Sequence, residues 1–129
     1  MIPAERLATA SLQEITAEMV QLRRDIDARE LDFSRLAAAV AKFDYWDDGS
    51  SSAIEWITFE CHMTRNAASD SIAVGQQLDA IPESIQALRA GEIGFAHLPV
   101  MARTAKAVGD AFDESVLLKK ARNCTAGKF

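Results

Sequence analysis

The chain has 129 residues, 49% of them apolar and 26% charged, with fourteen basic against nineteen acidic side chains and a formal charge of −5. That length fits one folded domain with a core of its own, and that apolar content excludes a disordered chain. The acidic balance excludes a generally basic nucleic-acid coat and leaves room only for a local basic patch.

The opening MIPAERLATA has no long apolar stretch and does not read as a secretory signal. The longest strictly apolar run, residues 36–41, is six residues long, against about 20 for a membrane span, so no membrane partner is expected. Helical spacing then dominates. Apolar residues recur at Leu12, Ile15, Met19, Leu22, Ile26, Phe33, Leu36, Val40 and Phe43, which is a heptad seam broken by Arg29. No Gly or Pro occurs between Ala4 and Asp48. Region 1–48 is therefore expected to be a single long helix or a helical hairpin turning near residues 27–32, where charge is densest. The unbroken heptad phase favours the single helix. Its seam serves either a homodimer or the remainder of its own domain.

Asp44, Asp47, Asp48 and Gly49 end this region, with Trp46 beside them and expected to be half exposed. Region 49–129 reads as a cluster of about five shorter helices. Ser52 and Glu55 form a Ser-x-x-Glu capping box that opens a helix containing Trp56, which is expected to be a core anchor. That helix ends near Cys61 or His62. Thr64 then suits the N-cap of a helix carrying Ala68, Ile72 and Val74, with Met63 packed on its first turn. Pro82 suits the first position of another helix and Gly91 its exit. Farther on, Pro99 sits within the stripe Phe95, Leu98, Met101, Ala102, and must kink that helix or mark its first turn. A last helix uses Phe112, Val116, Leu117 and Ala121. The whole reads as one all-α domain of six or seven helices.

The chemistry-bearing residues are sparse. Cys61 and Cys124 stand 63 residues apart without a C-x-x-C pair, so neither a zinc ribbon nor a disulfide framework is indicated and a cytoplasmic setting fits. His62 and His97 belong to no nucleophile or metal signature, and both are expected to hydrogen bond at helix ends. No catalytic residue, metal site or cofactor is assigned. One arrangement does suggest recognition. Residues 52–61, a tight turn and the helix from Thr64 have the proportions of a helix-turn-helix. In that device the start of the second helix meets bases and phosphates, here with Thr64, Arg65, Asn66 and Ser69. The surrounding segment, residues 51–104, holds only three basic residues against six acidic ones. The net basic part of the chain is residues 105–129, with Lys119, Lys120 and Arg122, a second candidate for contact with double-stranded DNA.

The stretch Gly49-Ser-Ser-Ser-Ala-Ile-Glu-Trp56, then Ile81-Pro82, then Ala87-Leu88-x-x-Gly91-Glu92-Ile93 and Ala96-His97, resembles the domain of unknown function 222. That family is related to the REP or 13-E-12 repeat proteins, and the similarity covers about residues 31–108. Residues 81–97 are also faintly similar to the segment after the helix-turn-helix of ParB-type partition proteins. Members of the first family commonly place this helical domain ahead of a C-terminal HNH endonuclease domain, which holds the metal-binding histidines. The resemblance thus implies a non-catalytic accessory domain of an HNH endonuclease, ending before the catalytic part. Residues 125–129 read as the start of a further helix. The alternative is a protein–protein interaction or dimerisation module that touches no nucleic acid.

Overall fold

The computed structural model describes residues 1–43 and 52–129. Trp46, Asp44, Asp47 and Asp48 lie outside the described residues, as does the expected boundary between the two regions. Among the described residues there are seven α-helices and no strand: α1 (Ala4–Thr9), α2 (Leu12–Val40), α3 (Ala53–Glu60), α4 (Arg65–Gln76), α5 (Pro82–Arg89), α6 (Leu98–Val108) and α7 (Glu114–Arg122). No helix among them is long and apolar enough to cross a membrane.

The N-terminal region is one continuous helix through residues 27–32, so the hairpin is excluded. It starts later than the absence of Gly and Pro suggests. Ser11 accepts a hydrogen bond from the Glu14 N–H at 3.1 Å and separates α1 from α2. A second capping signal, Ser11-x-x-Glu14, was therefore present in the sequence.

Only part of the heptad seam faces the domain: Phe33 and Val40 pack against a buried cluster. Leu12, Met19, Leu22, Ile26, Leu36 and Phe43 are exposed. The inward face of α2 is instead Asp27, Leu31, Ser34, Ala37 and Ala38. Small residues there let α4 come close. A Cβ on Gly75 of α4 would collide with the Ser34 carbonyl and stand 2.7 Å from the Ala38 methyl. Polar residues at the same face dock the α5–α6 connection. Arg24 donates to the Arg89 carbonyl at 3.1 Å, placing a cation at the end of α5. Asp27 is buried, takes a 3.1 Å hydrogen bond from Arg23, and lies against Gly94.

Two core clusters result. One gathers Ile81, Leu88, Leu98, Met101 and Leu118 around Leu31, and the other gathers Ala37, Ile57, Ala68 and Ile72. Ile57, 2% exposed, anchors α3. Trp56 is half-buried against the second cluster, not the central anchor expected of it. The reason is phase: residues 56 and 57 point about 100° apart, and the smaller Ile takes the inward direction.

The ends of α5 follow the sequence signals. Pro82 opens it, and Gly91 leaves it at φ +77° with the Glu92 N–H bonded to the Ala87 carbonyl at 2.9 Å. Pro99 sits in the first turn of α6 and kinks nothing. His97, just before it, is buried. Its Nδ1 accepts from the Gly94 N–H at 3.1 Å, which puts the ring proton on Nε2, 3.1 Å from the Cys124 carbonyl it donates to. Residues 125–129 make one hydrogen-bonded turn, with the Phe129 ring 5.5 Å from that of His97.

Candidate nucleic-acid interface

The α3–α4 unit is held by three local devices. The Ser52 hydroxyl accepts from the Glu55 N–H at 3.2 Å and starts α3. The turn after α3 closes with the Met63 N–H on the Thr58 carbonyl at 3.2 Å, while His62 adopts φ +54°. This is a left-handed helix exit of the kind glycine usually fills, and Met63 packs back onto the cluster containing Ile57. His62 thus serves through its backbone. Its side chain is exposed, and among the described residues it makes no side-chain hydrogen bond, unlike the expectation. The Thr64 hydroxyl accepts from the Ala67 N–H at 3.1 Å and starts α4.

Behind this unit, α4 packs against both α2 and α6. Its inward residues are Ala68, Ser71, Ile72 and Val74. Thr64, Arg65 and Asn66 are exposed at its first turn, and Ser69 is half-buried one turn on. These four expected contact residues therefore lie together at one end of α4.

The C-terminal basic residues do not join them. Lys119, Lys120 and Arg122 lie on α7, which packs on α5 and α6. Arg122 is also engaged, its Nε 3.1 Å from a Glu92 carboxylate oxygen. Besides Arg35 of α2 and Lys42 just after it, which line a pocket with Gly75 and Gln76, two cations of α6 stand beside α4, Arg103 and Lys106. Both are exposed, and both line a groove with Ser69 and Gln76. The Arg103 guanidinium is 2.6 Å from Asp70 and 3.4 Å from the Ser69 hydroxyl. The sequence signal for this pair was their spacing of three on a helix whose other face is Leu98, Met101, Ala102 and Ala105.

Among the described residues, no group of three or more His, Cys, Asp or Glu side chains is placed to hold a metal ion. Both cysteines are free thiols, Cys61 exposed and Cys124 half-buried. No protein-family model, curated protein or solved structure matches the chain.

Proposed function

We propose that this chain is a non-catalytic helical accessory module of an HNH endonuclease, which positions or regulates the nuclease by touching double-stranded DNA with its α3–α4 unit. The observation that supports this most is the open first turn of α4. Thr64, Arg65 and Asn66 point to solvent there on a helix fixed from behind by α2 and α6. Their chemistry suits a duplex: Arg forks onto guanine, Asn onto adenine, and Thr reaches phosphate. The HNH association rests on the family resemblance of residues 31–108. The free thiols suit a reducing cytoplasm.

The test is a gel shift at low salt with the Arg65→Ala, Asn66→Ala double variant. The expected result is binding weakened by about tenfold or more with an unchanged melting temperature. Equal binding by variant and parent counts against the reading, and single-turnover nicking of DNA by this chain with Mg²⁺ would overturn its non-catalytic assignment.

A second reading has an observation of its own. The exposed seam of α2 from Leu12 to Ile26 has the heptad spacing of a helix that pairs with another helix. On that reading the chain is a homodimerisation module, with or without DNA.

A further inference from the structure

The proposed contact at residues 64–66 offers one cation, Arg65, which is too little for a duplex on its own. A duplex presents one negative charge per about 1.7 Å of axis, and binding is carried by several Lys or Arg contacts. The groove beside α4 supplies what is missing. Asn66, Ser69, Ala73 and Gln76 follow one another at steps of three, four and three, so they form one stripe along α4. From Asn66 to Gln76 that stripe runs about 15 Å at 1.5 Å per residue. Ser69, Ala73 and Gln76 line a groove of about 190 Å³ whose far wall is Ala102, Arg103 and Lys106 of α6. The wall thus sets two cations, three residues apart, alongside a polar stripe with amide and hydroxyl groups that can meet base edges.

Only one of the two cations is available at once. Lys106 makes no ion pair among the described residues, whereas Arg103 is held by Asp70 at 2.6 Å. Both members of that pair are half exposed, 50% and 37% by side chain. A half-exposed pair is weak, contributing little more than the thermal energy, so a phosphate can compete for the guanidinium. The carboxylate left behind then faces the polyanion and opposes binding.

We infer that the groove between α4 and α6 extends the duplex-binding face, with Arg103 and Lys106 as its phosphate contacts and Asp70 as a built-in brake that occupies Arg103 in the free protein. This rests on the duplex reading above and adds to it two cations of α6, Arg103 and Lys106, beyond Thr64, Arg65, Asn66 and Ser69 and the α7 residues Lys119, Lys120 and Arg122. Phosphate capture by Arg103 breaks the Asp70 ion pair and forms a new one, with no covalent change.

The experiment is fluorescence anisotropy of a labelled mixed-sequence duplex of about two helical turns, titrated with the full chain over a series of salt concentrations. Asp70→Asn is expected to tighten binding by about fivefold, and Lys106→Ala and Arg103→Ala each to weaken it and to reduce the salt slope by about one. In the Arg103→Ala background Asp70→Asn should tighten binding less than in the parent, because only the direct repulsion of the carboxylate is left to remove. A Lys119→Ala, Lys120→Ala variant, which alters α7 outside the groove lining, should lose less affinity than Lys106→Ala. Unchanged affinity and slope in Asp70→Asn and Lys106→Ala, alongside weakened binding by the Arg65→Ala, Asn66→Ala variant, overturns the groove and leaves the proposed function standing. Absence of duplex binding in the parent and in Asp70→Asn alike overturns both.

Discussion

Gly75 shows how a single missing carbon sets the distance between two helices. In an exposed helix, replacing Gly by Ala stabilises by about 1 kcal/mol. Here the added methyl would strike the backbone carbonyl of Ser34, which cannot swing aside as a flexible side chain would. Overpacking of this kind costs about 1–3 kcal/mol and occasionally more, so it outweighs the helical gain. Gly75→Ala is expected to lower the unfolding free energy by about 1–2 kcal/mol net, the upper part of that cost less the helical gain, measured by urea denaturation. A variant as stable as the parent would mean that α2 and α4 can separate freely. His62 is the opposite case: it keeps a left-handed backbone at φ +54° despite its Cβ, because the Met63 bond to Thr58 and the burial of Met63 hold the turn closed. Nothing in the residue type His announces that role.

At the scale of elements, α2 is the decisive piece. Its seam was legible in the sequence, and so was its continuity, since a hairpin loop has no reason to keep heptad phase. Which face turned inward was not legible. Hydrophobicity alone points to Leu22, Ile26 and Leu36, yet the domain took Leu31, Ser34, Ala37 and Ala38, because only small side chains allow the approach of Gly75. On the second reading proposed above, the exposed bulky residues of α2 serve a partner. If that partner is a second copy, the chain sediments as a dimer at micromolar concentration, and a Leu22→Glu, Ile26→Glu variant sediments as a monomer with unchanged helicity. A monomeric parent at high concentration would remove this reading.

The attachment of α1 belongs to the same scale. Arg6 grips Glu18 with two hydrogen bonds, at 2.7 and 2.5 Å. The hydrogen bond from Arg6 lowers the Glu18 pKa below its ordinary value. A carboxylate with a depressed pKa contributes its attraction at pH values above the ordinary carboxylate range and loses it as pH falls through the depressed value. Acidification should therefore release α1 from α2 below the ordinary range. In Arg6→Ala the Glu18 carboxyl should titrate at the ordinary position, as read from its carbon chemical shift. A Glu18 titration that ignores Arg6→Ala would show that the pair is broken in solution.

Across the whole molecule, contacts between distant segments decide both stability and the placement of charge. His97 joins the turn at Gly94 to the carbonyl of Cys124 and lies against Phe129. Replacing it by Ala leaves a buried N–H and a carbonyl without their partner, at about 2 kcal/mol. His97→Ala is expected to lower the melting temperature while keeping one cooperative transition, and a separate early transition of the C-terminal segment would show that His97 does not couple it to the core. Glu114 acts similarly. It accepts hydrogen bonds from the backbone N–H groups of Glu83 and Ser84 at 3.2 and 2.9 Å, and so supplies from α7 the cap that Ile81 cannot give α5. A cap placed 30 residues away in sequence leaves no local signal.

By itself the sequence determined the helical class, the ends of α3 and α5, and the start of α4 with the residues that open it. Ser52, Thr64, Pro82 and Gly91 act through their nearest neighbours, where spacing along the chain equals distance in space. Only the tertiary structure decided that Lys119, Lys120 and Arg122 lie on another helix from Arg65, and that Arg103 and Lys106 stand beside α4 with Asp70 between them and the open helix start. Which charges share a face depends on which side of α6 meets α4 and which meets α7. That choice is made by small and buried side chains whose pairing across helices no local pattern records.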